Sequence, residues 1–356
     1  MSIETPDVLV VGLGPAGSRA ATAIAHAGFS VVAVERRSEA GAPVQCAEFV
    51  PSMIERDVPN VRDVTEQTVA RMLSFAEDGA GDETPNFRGF MIDRGAFDRM
   101  LAAEACGAGT DCRYGTSVNS IDADGTVHTS DGRSLKPRLL IGCDGPLSRV
   151  GAAIGQVNRA LVDTRQVTVP MVLPHDATDI YLSADYRGGY GWLFPKGAVA
   201  NVGLGVNMEE RHKLKPLLTD LFAKLSAARR IGTRAYCLTG GTIPVGGRLT
   251  AIGRLGGVQV LLAGDAAGLT NPVTGAGIAS AVQSGTLAGQ AAVDWLSGRP
   301  RAAEDYEEEL GDIFDAALNR ALRRRGEVLA RYEHGGRPDA RALIDGWIGS
   351  PHYWAA

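Results

Sequence analysis

Between Asp7 and Glu35 the chain reads DVLVVGLGPAGSRAATAIAHAGFSVVAVE, a stretch that leaves little freedom of fold. Asp7 to Val11 is a run of β-branched and aliphatic residues suited to a strand buried on both faces of a parallel sheet. Gly12, Gly14 and Gly17 follow as G-x-G-x-x-G. The first permits a tight turn, the second lets the backbone approach a pyrophosphate, and the third lets a helix pack closely on the strand. Ala-rich Ser18 to Ala27 predicts that helix, Gly28 stops it, and Phe29 to Val34 predicts a second buried strand. Glu35 then stands about twenty residues beyond the glycines, where a carboxylate accepts hydrogen bonds from a ribose. Glycines that serve helix packing alone would not need that frame, so the stretch predicts a dinucleotide.

A chain of 356 residues can bury a large core and divide into two or three domains. Its net charge of -5 gives no reason to expect nucleic acid. The one dense basic run, Arg323 to Arg325, is expected on a solvated helix face, with anionic lipid headgroups as the alternative contact. Cys46, Cys106, Cys112, Cys143 and Cys237 form no C-x-x-C pair, and the six histidines show no ligand spacing, so no metal site is expected. The dinucleotide strand begins almost at the first residue with no signal peptide before it, which points to a reducing cytoplasm. No apolar run reaches the roughly eighteen residues of a membrane span, so a lipid substrate would be met from the membrane's inner surface.

After Glu35, RRSEAGAPVQCAEFVP should leave the sheet as a loop at the edge of the glycine turn. Cys46 within it reads equally as an inert buried thiol or as a group that reaches a cofactor. Met53 to Val69 reads as helix and connection. Met72 to Glu77 and Phe87 to Ile92 read as two strands joined by a polar, mobile DGAGDETPN. A helix opens at Arg94, and strands follow at Tyr114 to Ile121, Thr126 to Thr129 and Leu139 to Gly142. The Asp144-Gly145 that ends this run is, in isolation, a turn. From Arg165 to Asn207 four alternating segments predict an antiparallel sheet with one face covered. Glu209 to Ile231 reads as helix, and Val258 to Ala263 as a buried strand that delivers Asp265 to its carboxyl end. Pro272, Gly275 and Gly277 then turn into a small-residue helix to about Leu296, whose free N–H groups can bind negative charge. A charged helix, Glu304 to Arg331, precedes a tail with Trp347, Tyr353 and Trp354, expected to pack as a lid rather than rest at a membrane interface.

Read together, GLGPAG with Glu35, GCDG, and GDAAG with PVTGAGI resemble the FAD-binding motifs of flavoproteins with the p-hydroxybenzoate hydroxylase fold. PVQCAE around Cys46, the IDR-x-x-FD segment at Arg94, and Tyr190-Gly191-Trp192-Leu193-Phe194-Pro195, a Y-x-W-x-F-P motif, resemble the geranylgeranyl reductase family in particular. The family commonly has Cys-Gly where this chain has Cys46-Ala47. The implied fold is α/β: a Rossmann-like FAD-binding domain in three parts (1–60, 93–164 and 255–300), an inserted antiparallel β-sheet substrate domain (61–92 and 165–254), and a helical C-terminus (301–356).

The resemblance implies that Gly12, Gly14, Ala16, Gly17, Glu35 and Arg36 hold the ADP half of FAD, that Cys46, Ala47 and Phe49 lie along it, and that Arg94, Val118 and Asp144 contact it from neighbouring elements. Asp265 would bond the ribityl and pyrophosphate region, with Gly275, Gly277 and Ile278 beside the isoalloxazine. The implied activity is saturation of carbon-carbon double bonds in a polyprenyl chain, by hydride from reduced flavin and a proton from Cys46, Tyr190 or an ordered water. Tyr190, Trp192, Phe194 and Pro195 would shape the cavity, although from the residues alone these aromatics read as core packing. NADPH, or a reduced ferredoxin or quinol partner, is the implied electron donor. A monooxygenase of the same fold is the rival reading and a non-catalytic flavin or prenyl carrier the second. A halogenase is disfavoured by the lack of W-x-W-x-I-P.

Overall fold

The computed structural model describes residues 3–355. Its central sheet runs, strand by strand, Ile252–Leu255, Val258–Leu262, Leu139–Gly142, Val8–Val11, Val31–Glu35 and Asp111–Tyr114, all parallel except the first. Val8 to Val11 are buried throughout, as a strand covered on both faces requires. From Val8–Val11 the chain builds outward on one side and later returns on the other. The switch point therefore falls between Val8–Val11 and Leu139–Gly142, where such sheets bind ligands beyond their strand ends. Gly12 occupies this gap at φ 96°. A Cβ there would stand 2.4 Å from the Cys143 carbonyl oxygen, so no other residue fits.

Helix Pro15–His26 lies against helix Ile278–Leu296. Gly285 meets Ala16 and Gly289 meets Ala20, with built Cβ distances of 2.2 and 2.8 Å to the facing carbonyl oxygens. Both contacts advance four residues in the same direction, so the helices run parallel and their N-termini share one end of the molecule. Small residues permit the close approach that makes this possible.

The second large sheet is ordered Cys237–Thr239, Leu161–Pro170, Val199–Asn207, Gly191–Lys196, Ala177–Leu182, Arg71–Ala76 and Asp82–Thr84, with Thr242–Pro244 also pairing to the Leu161 end. It departs from the antiparallel expectation at one place: Ala177–Leu182 runs parallel to Arg71–Ala76, a pairing between distant segments. The DGAGDETPN stretch is not a plain loop either, since Asp82–Thr84 folds back on Arg71–Ala76. Gly89–Ile92 leaves for a separate three-stranded sheet with Phe49–Pro51 and Thr65–Val69. The helix expected after Met53 is reduced to the short turns Ser52–Arg56 and Val61–Val64.

One face of the second sheet, including Leu193, Val202 and Leu204, packs on helix Leu214–Ala227. The other carries Trp192, Phe194 and Ile180 and is covered by the C-terminal tail through Leu343 and Trp347. That tail returns from the long helix Ala302–Ala330 and packs as the expected lid, with Tyr353 buried and Trp354 exposed. The basic run is not a solvated face: only Arg323 is exposed. Arg324 is buried, donating to the carbonyl oxygens of His352, Tyr353 and Ala355, while Arg325 reaches Asn207 Oδ1 and the Gly188 carbonyl.

Candidate functional site

The carboxyl ends of the parallel strands bring together most of the expected cofactor residues. Gly264, just after Val258–Leu262, lies between the two helix starts, its built Cβ 3.3 Å from both Ala16 Cβ and Ala281 Cβ. Asp265 follows it, and Thr270 donates to Asp265 Oδ1 at 2.6 Å. Gly277 sits over both, 3.1 Å from Asp265 Oδ1 by its built Cβ. No side chain caps either helix, at Gly14 or at Gly277, so two sets of leading N–H groups and two positive dipole ends face one crevice. A Cβ on Gly14 would meet nothing within 4 Å, whereas one on Gly17 would stand 1.8 Å from the Gly12 oxygen. The open space at Gly14 beside uncapped N–H groups fits a pyrophosphate.

Glu35 closes the other side, accepting from the backbone N–H of Leu13 and of Arg37, each at 3.0 Å. It thereby ties the glycine turn to the next strand's end. Burial pushes the Asp265 carboxyl above its ordinary value, against the opposing influence of Thr270 and Arg94.

Other expected residues also make contacts within the protein. Asp144 accepts from Ser148 Oγ, the residue that caps the short helix Arg149–Ala153, and from Arg149 N at 2.7 Å. Val118 is buried in the main core and Arg36 is exposed beside Glu35. Pro195, by strand alternation, is on the Leu193 face, away from Trp192 and Phe194.

The aromatic strand lies against the Cys46 loop. Trp192 Nε1 donates to Gln166 Oε1 at 3.0 Å, and Gln166 Nε2 donates to the Cys46 carbonyl at 3.0 Å. Gly203, paired with Trp192, leaves the indole its room. Asn201 Nδ2 reaches the Ala47 carbonyl at 3.3 Å, and Ile92 N the Glu48 carbonyl at 2.9 Å. The rings form a chain: Phe87 stacks on Phe49 (5.3 Å), Phe49 meets Phe194 (6.0 Å), and Phe194 meets Trp192 (6.3 Å). Trp192 meets Tyr190 (5.7 Å), which lies under Trp347 (4.8 Å).

Cys46 Sγ accepts from Glu48 N at 3.2 Å, and burial pushes the thiol up despite the Arg94 guanidinium beside it. Arg94 is in turn held by Asp98 at 2.7 Å. Burial and the nearby Cys46 push the Tyr190 phenol up as well, and its hydroxyl donates to the Thr274 carbonyl at 2.6 Å. Gln166, Glu48, Lys196 and Asn201 were not expected here. For the strand residues the one signal was alternation, which sets Gln166 and Thr168 on the face opposite Val167 and Val169; the loop residue Glu48 had none of this kind.

A family profile described as an FAD binding domain matches residues 88–321, and a second so described matches 7–57. A digeranylgeranylglycerophospholipid reductase of Methanosarcina mazei is 31% identical over 345 residues, covering 89% of this chain and 83% of its own length. A second such reductase, of Methanopyrus kandleri, is 34% identical, covering 88% of this chain and 85% of its own. The crystal structure of a geranylgeranyl bacteriochlorophyll reductase-like protein from Thermoplasma acidophilum superposes with a TM-score of 0.83 at 26% identity, covering 96% of this chain and 90% of that one. A probable FAD-dependent monooxygenase from Pseudomonas aeruginosa shares the fold, with a TM-score of 0.72 at 18% identity over 96% of this chain and 99% of its own. With relatives of one kind matched across most of its length and FAD-binding profiles over the crevice, the chain belongs to the geranylgeranyl reductase family of flavoproteins.

Proposed function

We propose that the chain is an FAD-dependent reductase that saturates carbon-carbon double bonds of a polyprenyl chain carried by a lipid. The observation that carries this reading is the junction of the Cys46 loop with an unbroken row of aromatic rings, beside a crevice built for a dinucleotide. The relatives' names as reductases of a digeranylgeranyl lipid support it. An isoprenoid has no polar handle, so recognition depends on apolar wall, at about 0.8 kcal/mol per buried methylene.

FAD would be held by Gly12 to Gly17, Glu35, Asp265 and the helix start at Gly277 and Ile278, and in its reduced form it would supply the hydride. The protein's own part is to exclude water, hold one alkene against the ring system and deliver a proton to the second carbon. Cys46 and Tyr190 are the two groups that could make this delivery, and burial keeps both protonated at neutral pH. Tyr190 has committed its proton to the Thr274 carbonyl. Cys46 Sγ only accepts, and among the described residues no acceptor takes its proton, which makes Cys46 the favoured donor.

The electrons come from outside the chain: NADPH, a reduced ferredoxin or a quinol. No helix among the described residues is long and apolar enough to cross a membrane, so on this reading the lipid is drawn from a bilayer surface. Anaerobic turnover of the chemically reduced holoenzyme with a geranylgeranyl lipid tests the reading, with the products followed by mass. A gain of two mass units per double bond is expected; a strict oxygen requirement would replace it with a monooxygenase.

A further inference from the structure

Glu48, two residues beyond Cys46, is 6% exposed and adopts φ 71°, a left-handed conformation that side-chain-bearing residues avoid. Such a residue persists where its surroundings over-determine it, and here they do. Glu48 Oε1 accepts from Lys196 Nζ at 2.9 Å and from the backbone N–H of Arg94 at 3.0 Å, while Oε2 accepts from Asn201 Nδ2 at 2.8 Å. The donors come from three different elements. Lys196 lies on the aromatic strand with the same alternation as Tyr190, Trp192 and Phe194; Asn201 is on the strand paired to it; Arg94 opens helix Arg94–Gly107. Asn201 is itself fixed, accepting from Thr168 Oγ1 at 3.0 Å.

We propose that Glu48 is a positioning residue: its buried carboxylate clamps the Cys46 loop to the aromatic strand, so that the thiol and the rings that hold the substrate stay in fixed register. This rests on the reading of Cys46 as the group facing the reacting chain. The charged and titratable groups around the thiol are Arg94 with its partner Asp98, Glu48 with its partner Lys196, and the Tyr190 phenol. A purely apolar staple would let the loop slide, whereas a buried ion pair with two further hydrogen bonds admits one geometry. The φ 71° conformation accompanies a carboxylate that meets all three of its donors.

The test is the rate at which N-ethylmaleimide alkylates Cys46 in the FAD-loaded enzyme, read on the isolated Cys46 peptide. Cys143, half-buried under the glycine turn, is the internal control. Glu48→Gln keeps the shape and removes the charge. It should raise Cys46 alkylation by about tenfold, as a loop released from its clamp exposes the thiol more often, and leave Cys143 unchanged. It should also lower kcat for prenyl reduction by about tenfold with KM within about twofold, as a misplaced proton donor would. The double variant Glu48→Gln with Lys196→Met leaves no ammonium unpaired and should release Cys46 equally, so that a folding defect of the single variant does not decide the matter. Cys46 alkylation within about twofold of wild type in either folded variant, or a parallel rise at Cys143, overturns the clamp. Absence of prenyl reduction by the wild-type enzyme would strike the functional reading alone, since alkylation still reports on the clamp.

Discussion

Trp347 lays its ring over Tyr190, with centroids 4.8 Å and planes 59° apart, so the end of the chain closes over the aromatic strand. Trp347 is 4% exposed, and its Nε1 has no acceptor among the described residues. The indole thus contributes packing without a hydrogen bond. Trp347→Ala should cost about 3 to 5 kcal/mol, whereas Trp347→Phe should cost under about 1.5. Thermal unfolding of the holoenzyme distinguishes them, and KM for the prenyl lipid should rise in the alanine variant alone.

What the sequence displays locally, the structure keeps. The glycine turn is legible because G-x-G-x-x-G prescribes a backbone path, and Gly12 at φ 96° and Gly17 against the Gly12 oxygen follow it. The aromatic strand is legible through alternation, which also turns Pro195 away. What stays hidden depends on distant partners. Nothing near Arg324 reveals that its acceptors are carbonyls of the last residues, so a charge run reads as solvated. Glu48 looks like any loop acid until Lys196 and Asn201 arrive from another sheet. The parallel pairing of Arg71–Ala76 with Ala177–Leu182 has no local mark at all.

The second and third glycines of the turn should respond oppositely to alanine. Gly14 has φ -76° and an open Cβ position, so Gly14→Ala should leave apo-protein stability within about 0.5 kcal/mol while weakening FAD binding by about tenfold or more. Gly17→Ala drives a methyl into the Gly12 oxygen and should destabilise the apo-protein by about 1 to 3 kcal/mol or more. Thermal unfolding with and without FAD, together with a flavin fluorescence titration, separates the two effects.

Asp265 sets a pH dependence of defined sign. Its folded-state value is raised by burial above the unfolded value of about 3.9, so the folded apo-protein takes up the proton more readily. The resulting stabilisation is fully present below the unfolded value and is lost as pH rises through the folded one. Asp265→Asn keeps an acceptor for Thr270 and removes the titration. The apo variant should therefore gain stability relative to wild type as pH rises from about 4 towards 7, while losing affinity for FAD. A Tm series on both apo-proteins checks the first arm, and flavin titration the second.

Arg324 holds the lid by its far end. Its guanidinium, 4% exposed, donates from Nε to the Tyr353 carbonyl at 3.2 Å and from Nη2 to those of His352 and Ala355, each at 2.7 Å. Nη1 meets Glu327 at 3.0 Å, which offsets the buried charge. A planar fork reaches three carbonyls that an ammonium, as a single point of charge, cannot serve together. Arg324→Lys should therefore behave nearly as badly as Arg324→Met, each losing about 2 to 5 kcal/mol. Because Trp347 rides on the same segment, release at Arg324 should also loosen the cover over Tyr190. Brief proteolysis should then trim the tail from both variants before the body of the protein is cut, and KM for the prenyl lipid should rise as it does in Trp347→Ala. Were lysine to restore protease resistance fully, the tail would be held by charge alone, and the fork geometry would have no part in closing the site.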